Sequence, residues 1–180
     1  MTRRIKVTLL MALTVDGMIA RGPQHFTDWT EREDKLFFKE LSQKAGAVIM
    51  GSKTFDTIGK PLPRRKNIVL TRRDRRSDNQ NLIFTADPPH AILNALENEG
   101  FDQVILAGGA TINTLFAKDD LVDEIIITVS SQVFGTGISL FSAPVHMNLR
   151  LDDMQRLGQN SVLLTYRVNR SMTVKAYVEN

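Results

Sequence analysis

Cysteine is absent from the 180-residue chain. Its absence excludes a disulfide scaffold, a thiolate zinc site, an iron–sulfur cluster and a cysteine nucleophile. Histidine is scarce. His25, His90 and His146 lie far apart, so the helical HxxxH and HExxH metal pairs are missing and no metal site is expected. No apolar run approaches the roughly 18–20 residues that a membrane span needs. Neither charge dominates, with 23 Lys and Arg against 20 Asp and Glu. The basic stripe with interleaved aromatics that marks a nucleic-acid binder is missing. Basic residues stand together only in Arg72-Arg73-Asp74-Arg75-Arg76, which by itself reads as a solvated loop. Lys6 interrupts any signal-peptide core after the charged start. These absences lead to the expectation of a cytoplasmic protein with neither membrane nor nucleic-acid partner.

What is present is an ordinary globular composition, 42% hydrophobic and 24% charged. A chain this long can bury about 70% of its unfolded surface, so it needs no covalent or metal staple. Residues 5–13 are β-branched and apolar and predict a strand. Asp16-Gly17 ends it, and a loop is expected over 16–28. Thr30-Glu31-Arg32-Glu33 fits a capping box opening an amphipathic helix to about Lys44, with Gly46 as its stop. Strands are predicted at 47–50, 67–71, 82–85, 104–106 and 124–129, and helices after Gly51, after Pro88 and after Gly109. Two antiparallel strands are expected near 149–158 and 161–168. The alternation predicts an α/β fold in three layers, α/β/α, with a mostly parallel central sheet and antiparallel C-terminal edge strands. No repeat or linker breaks the chain, so residues 1–170 read as one domain and 171–180 as a tail.

Three places carry candidate chemistry. Leu106-Ala107-Gly108-Gly109-Ala110-Thr111 is a strand-to-helix junction whose glycines permit close backbone approach and whose helix start offers N–H groups to an anion. A tight turn without a ligand fits the same residues. The GxGxxG dinucleotide fingerprint is missing. Met50-Gly51-Ser52-Lys53-Thr54 repeats the pattern with a cation and hydroxyls, suited to a phosphate monoester such as that on an NADP ribose. Arg72 and Arg73 could reach the same phosphate. Asp34 sits in the predicted helix four residues before Phe38, so one face offers a carboxylate beside an aromatic surface. Such a carboxylate can hold the amidine-like edge of a pterin or pyrimidine by two hydrogen bonds. A first-turn Asp favoured by the helix dipole is the structural alternative.

The segment from Met50 through Gly59-Lys60-Pro61-Leu62-Pro63-Arg64-Arg65-Lys66-Asn67 to Thr71 resembles the central segment of dihydrofolate reductases. Trp29, Asp34 and Phe38 reproduce the spacing of that family's substrate helix, and Val104 to Thr111 resembles its cofactor turn. The chain also resembles the reductase domain of bacterial riboflavin biosynthesis. Val15-Asp16-Gly17-Met18-Ile19-Ala20, Leu121-Val122-Asp123-Glu124 and Phe134-Gly135-Thr136-Gly137-Ile138-Ser139-Leu140-Phe141 carry that likeness. Both resemblances imply a hydride transferred from NADPH to a small heterocyclic substrate. By similarity, Gly51, Lys53, Thr54, Thr71, Arg72, Ala107, Gly108, Gly109, Ala110 and Thr111 hold the cofactor, with Ala12 and Asp16 bordering the nicotinamide. Asp34, supported by Thr128, holds the substrate ring beside Phe38, and Arg65 holds an anion at its far end. The substrate implied first is a ribosylaminopyrimidine, with dihydrofolate the alternative; a module that binds NADPH without turnover is the non-enzyme alternative. The riboflavin-type resemblance implies a homodimer, whereas the dihydrofolate reductase resemblance implies a monomer. The chain departs from the dihydrofolate pattern at Ala107, at Ile112 and in the 16–28 loop, where His25 and Phe26 replace an expected Pro-Trp pair.

Overall fold

A computed structural model describes residues 5–25 and 28–170. Phe26 and the tail expected at 171–180 lie outside the described residues. The elements run β1 (Lys6–Thr14), β2 (Met18–Ala20), α1 (Arg32–Ala45), β3 (Ala47–Gly51), α2 (Ser52–Ile58), β4 (Lys66–Leu70), β5 (Leu82–Thr85), α3 (Pro89–Asn98), β6 (Gln103–Leu106), α4 (Ala110–Lys118), β7 (Glu124–Ser130), β8 (Ile138–Ser139), β9 (Leu149–Leu157) and β10 (Ser161–Val168).

Eight strands form one sheet in the order β5-β4-β3-β6-β1-β7-β10-β9. β10 runs antiparallel to both neighbours, and the other contacts in this sheet are parallel. The central strands are continuous apolar runs because helices cover both of their faces. Val7 and Leu9 of β1, Ala47 and Ile49 of β3 and Val104 and Leu106 of β6 pack with Ile92, Leu93 and Leu96 of α3 and Phe116 of α4. The alternate residues Leu10, Val48, Met50 and Ile105 pack on the other face with Phe37, Phe38 and Leu41 of α1 and Phe55 of α2. The period of two along each strand thus feeds two separate cores. This is the expected three-layer architecture.

Two details differ from expectation. The capping box does not form. The N-cap is Glu31, Thr30 is buried, and no side chain caps α1. The Glu31 carboxylate instead accepts hydrogen bonds from Ser161 Oγ (2.9 Å) and from the Asn160 side chain (3.1 Å). A tie across 130 residues displaces the local cap and pins the start of α1 to the β9–β10 turn. The 16–28 segment also contains a strand, since β2 pairs antiparallel with β8 in a second, two-stranded sheet. The pairing is so close that a Cβ on Gly137 would collide with the Ala20 carbonyl oxygen.

The Ser161 hydroxyl first, then the Asn160 side chain, hold the Glu31 carboxyl below its ordinary range. A carboxylate with a depressed folded-state pKa stabilises the protein above its unfolded pKa, and that contribution fades as pH falls through the folded value. Glu31→Gln should therefore lower the thermal midpoint at pH 7, with the gap to wild type closing below about pH 4. Midpoints measured from pH 7 to pH 3 check this, and a gap that is unchanged at acid pH contradicts it.

Candidate active site

A cleft lies where the carboxyl ends of the parallel strands meet. After β3 the chain leaves through α2 on one face, and after β6 it leaves through α4 on the opposite face. Such a divergence opens a crevice at the strand ends. The two ends stay in contact through the Gly51 amide, which donates to the Gly108 carbonyl (2.8 Å), and the Ala107 amide, which donates to Ile49 (2.8 Å). Side chains are excluded there. A Cβ on Gly51 would stand 3.0 Å from Ile112, one on Gly108 would stand 2.9 Å from the Met11 sulfur, and one on Gly109 would stand 3.4 Å from Thr54 Oγ1. Gly108 also needs its left-handed φ of +84°. The Gly108–Gly109 peptide is cis.

β1 outruns β6. Their pairing ends at Leu9–Leu106, whereas β1 stays paired with β7 as far as Thr14–Ser130. Backbone groups alternate along β1, with Lys6 turned to the β6 side and Val7 to the β7 side, so beyond Leu9 the N–H and C=O of Ala12 form an open edge on the β6 side, facing the crevice. α4 begins at Gly109 with no side-chain cap. The amides of Ala110 and Thr111 have no partner among the described residues and carry the positive end of the helix dipole. Asn113, fully buried in the next turn, donates from Nδ2 to the Leu140 carbonyl (2.9 Å), while its Oδ1 has no partner.

Cations gather at one end of this crevice. Gly51 and Leu70 are register partners, so Lys53 and Thr54 in the first turn of α2 neighbour Thr71 and Arg72 past the end of β4. Lys53 and Arg72 are exposed and form no ion pair among the described residues. Arg73 is likewise exposed with no ion pair among the described residues, whereas Arg75 and Arg76 are engaged. Arg75 pairs with Asp56 (2.7 Å) and lies over the ring of Phe84 (4.5 Å), and Arg76 faces Asp74 (3.5 Å). The Thr71 hydroxyl accepts from the Arg73 amide (3.1 Å).

The other side of the crevice is lined by side chains from the α1 face. Thr128 on β7 is the register partner of Ala12 and of Leu163, which puts it on that face at the end of the strand. Its Oγ1 is buried and has no hydrogen-bond partner among the described residues, and the same holds for Trp29 Nε1. Glu31's tie to Ser161 brings the first turn of α1, and with it half-buried Asp34, over this strand end. Asp34 makes no hydrogen bond or ion pair among the described residues. Phe38, one turn on, packs into the core beneath. Arg65 is only 4% exposed, donates to Ser42 Oγ (2.5 Å) and to the Pro63 carbonyl (3.0 Å), and faces no carboxylate among the described residues. Burial lowers its pKa but leaves it charged. A buried cation without a counterion is costly unless it gains a partner.

Asp16 has a different position from the rest. Its carboxylate accepts from Thr14 Oγ1 (2.5 Å), the Phe134 amide (3.2 Å) and the Gly135 amide (2.7 Å), so it ties together two loops rather than standing open. His25 Nδ1 accepts from the Arg21 amide (3.2 Å), and its ring packs on Phe134. Residue spacing did not single out Phe134 as part of a site; its neighbours lie more than a hundred residues away in sequence. No group of acidic or histidine side chains among the described residues could hold a metal. No helix among them is long and apolar enough to cross a membrane.

The family profile described as dihydrofolate reductase matches residues 6–143. An uncharacterised Bacillus subtilis protein, YwjB, is 30% identical over 162 residues, 86% of this chain and 93% of its own. Escherichia coli dihydrofolate reductase type 1 is 32% identical over 108 residues, 60% of this chain and 65% of its own. The solved structure of Acinetobacter baumannii RibD superposes with a TM-score of 0.83 at 19% identity, covering 94% of this chain and 59% of that longer protein. That likeness is one of fold.

The unpartnered hydroxyl of Thr128 gives a direct test of the polar cleft. A buried hydroxyl without a partner costs about 1–3 kcal/mol, so Thr128→Val should leave the free protein as stable or raise its melting temperature by a few degrees. The same variant should lower turnover. Thermal unfolding and steady-state kinetics on one preparation check both, and a large loss of stability would show that Thr128 already has its partner.

Proposed function

The chain belongs to the dihydrofolate reductase family, and from that premise we propose that it is an NADPH-dependent reductase of a pyrimidine- or pterin-type heterocycle. One observation carries this reading. The crevice is bordered by open backbone and unbonded helix amides on one side and by unmatched polar side chains, Trp29 Nε1 and Thr128 Oγ1, on the other. Two different ligands fit such a division.

The residues present fit NADPH. The amides of Ala110 and Thr111 at the start of α4 take a pyrophosphate, and Gly51, Ala107, Gly108 and Gly109 let it approach the backbone. Lys53, Thr54, Thr71 and Arg72 take the ribose phosphate. The open edge of β1 at Ala12 offers backbone donors and acceptors to a carboxamide. When bound, NADPH supplies a hydride from its nicotinamide ring. On the substrate side Asp34 accepts two N–H bonds from the ring edge, and the Thr128 hydroxyl and Trp29 Nε1 complete the polar contacts. Arg65 attracts an anion at the far end. The chain's contribution is to align the two reacting carbons and exclude water, which can supply several kcal/mol of the barrier reduction.

The first substrate is a phosphoribosylaminopyrimidine of the riboflavin route, 5-amino-6-(5-phosphoribosylamino)uracil. The 15–20, 121–124 and 134–141 segments support it, and a phosphate suits the Arg65 charge. Dihydrofolate is the second reading, supported by the Trp29–Asp34–Phe38 spacing and by Thr128; its carboxylates suit the same arginine.

NADPH oxidation by the purified chain, measured with each substrate, tests the proposal. The pyrimidine should give a kcat/KM at least about tenfold above that of dihydrofolate. The reverse order selects the second reading, and oxidation with neither, where NADPH binds, leaves a binding module. Asp34→Asn should cut turnover at least about tenfold, about 1.4 kcal/mol of barrier, while NADPH affinity stays nearly unchanged. Undiminished turnover would return Asp34 to a helix-dipole role.

A further inference from the structure

Trp29 presents a puzzle of orientation. Its indole nitrogen is buried and has no hydrogen-bond partner among the described residues, so no hydrogen bond from them fixes the ring's direction. Packing has to do so. The partner is Phe134, whose ring meets the indole edge-on at 5.2 Å and 72°. Phe134 is held on two further sides, by His25 (5.4 Å, 79°) and by the Arg21 guanidinium (4.1 Å). Its backbone is held as well, because the Asp16 carboxylate accepts from both the Phe134 and the Gly135 amides. Gly135 reaches this geometry with a left-handed φ of +77°. Hydrogen bonds, the Thr14 hydroxyl's first, keep the Asp16 carboxyl below its ordinary range and therefore ionised at neutral pH. The pairing of β2 with β8 secures the same two loops again.

We infer that Phe134, clamped by Asp16, is a positioning residue that orients the Trp29 indole and so aims its Nε1 donor at the substrate. The inference rests on the proposed function only for what the donor meets; the orientation itself needs no ligand. Asp16 then acts two contacts away from the substrate, through Phe134 and Trp29.

The chain contains a single tryptophan, so its intrinsic fluorescence reports position 29 alone. Emission and acrylamide quenching are measured for the unliganded full chain and for Phe134→Leu, Asp16→Asn, the double variant and the conservative Phe134→Tyr, with far-UV circular dichroism as the check on folding. Phe134→Leu and Asp16→Asn should each shift emission to longer wavelength and raise quenching at least about twofold. The double variant should go no further than the larger single effect, since the two residues act as one unit. Phe134→Tyr should match wild type. In the kinetic arm, both single variants should lower kcat/KM for the heterocycle at least about tenfold with the NADPH dissociation constant within about twofold of wild type.

A folded Phe134→Leu with wild-type emission and quenching overturns the inference, and so do additive effects in the double variant. If Asp16→Asn does not fold, Phe134→Leu decides alone, since it removes no hydrogen bond. A wild-type chain that oxidises no NADPH overturns the proposed function and leaves the fluorescence result standing on its own.

Discussion

The Gly51 amide donates to the Gly108 carbonyl across 2.8 Å and joins two strand ends whose chains depart to opposite faces of the sheet. Everything at the cleft depends on that contact. A side chain at either position would push the ends apart, against Ile112 on one side and Met11 on the other. With the ends held, β6 stops at Leu106, β1 runs on towards Thr14 paired only with β7, and α4 starts with its amides bare. One close backbone contact thus creates an open strand edge, an uncapped helix start and the crevice between them.

The two sides of the crevice are built by different means. The side proposed to receive the cofactor is mostly backbone, so its shape follows from the path of the chain. The opposite side is made of side chains held in place from a distance: Glu31 by Ser161, Phe134 by Asp16, and Arg65 by Ser42 and Pro63. Two of its polar atoms, Trp29 Nε1 and Thr128 Oγ1, are buried without partners. Each costs about 1–3 kcal/mol, a large share of the about 5–15 kcal/mol that holds a domain folded. A bound heterocycle that supplies the missing bonds recovers that energy, which gives the free protein a physical reason to favour its ligand.

The central strands β1, β3, β4, β6 and β7 were legible because each is a mostly apolar run with a buried core, and the helices because Gly46, Gly59 and Pro88 bound them. β2 and β8 were not legible. They are three and two residues long, and their pairing depends on the bare backbone at Gly137 rather than on any hydrophobic pattern. The capping box at Thr30 is a local signal that loses to a long-range one, since Ser161 and Asn160 draw Glu31 away. The arginine run looked uniform, yet Arg75 is taken up by Phe84 and Asp56, while Arg72 and Arg73, with Lys53, form no ion pair among the described residues. Asp34 stood out from its place in the predicted helix, and Thr128 through resemblance. Where α1 sits relative to β7 depends on the Glu31–Ser161 tie, which no spacing within either segment reveals. Phe134 was quoted only as part of a signature, because a ring contact across more than a hundred residues leaves no periodic trace.

The central claim is that the glycine contact and the bare start of α4, flanked by Lys53 and Arg72, form a site for a phosphorylated dinucleotide. Isothermal calorimetry of the full chain with NADPH and with NADH tests it most directly. The account predicts one NADPH per chain at a micromolar or lower dissociation constant, about −8 kcal/mol or better. NADH should bind at least about tenfold more weakly, because it lacks the phosphate that the two cations meet. Equal affinity for the two, or no binding of either, would contradict the account.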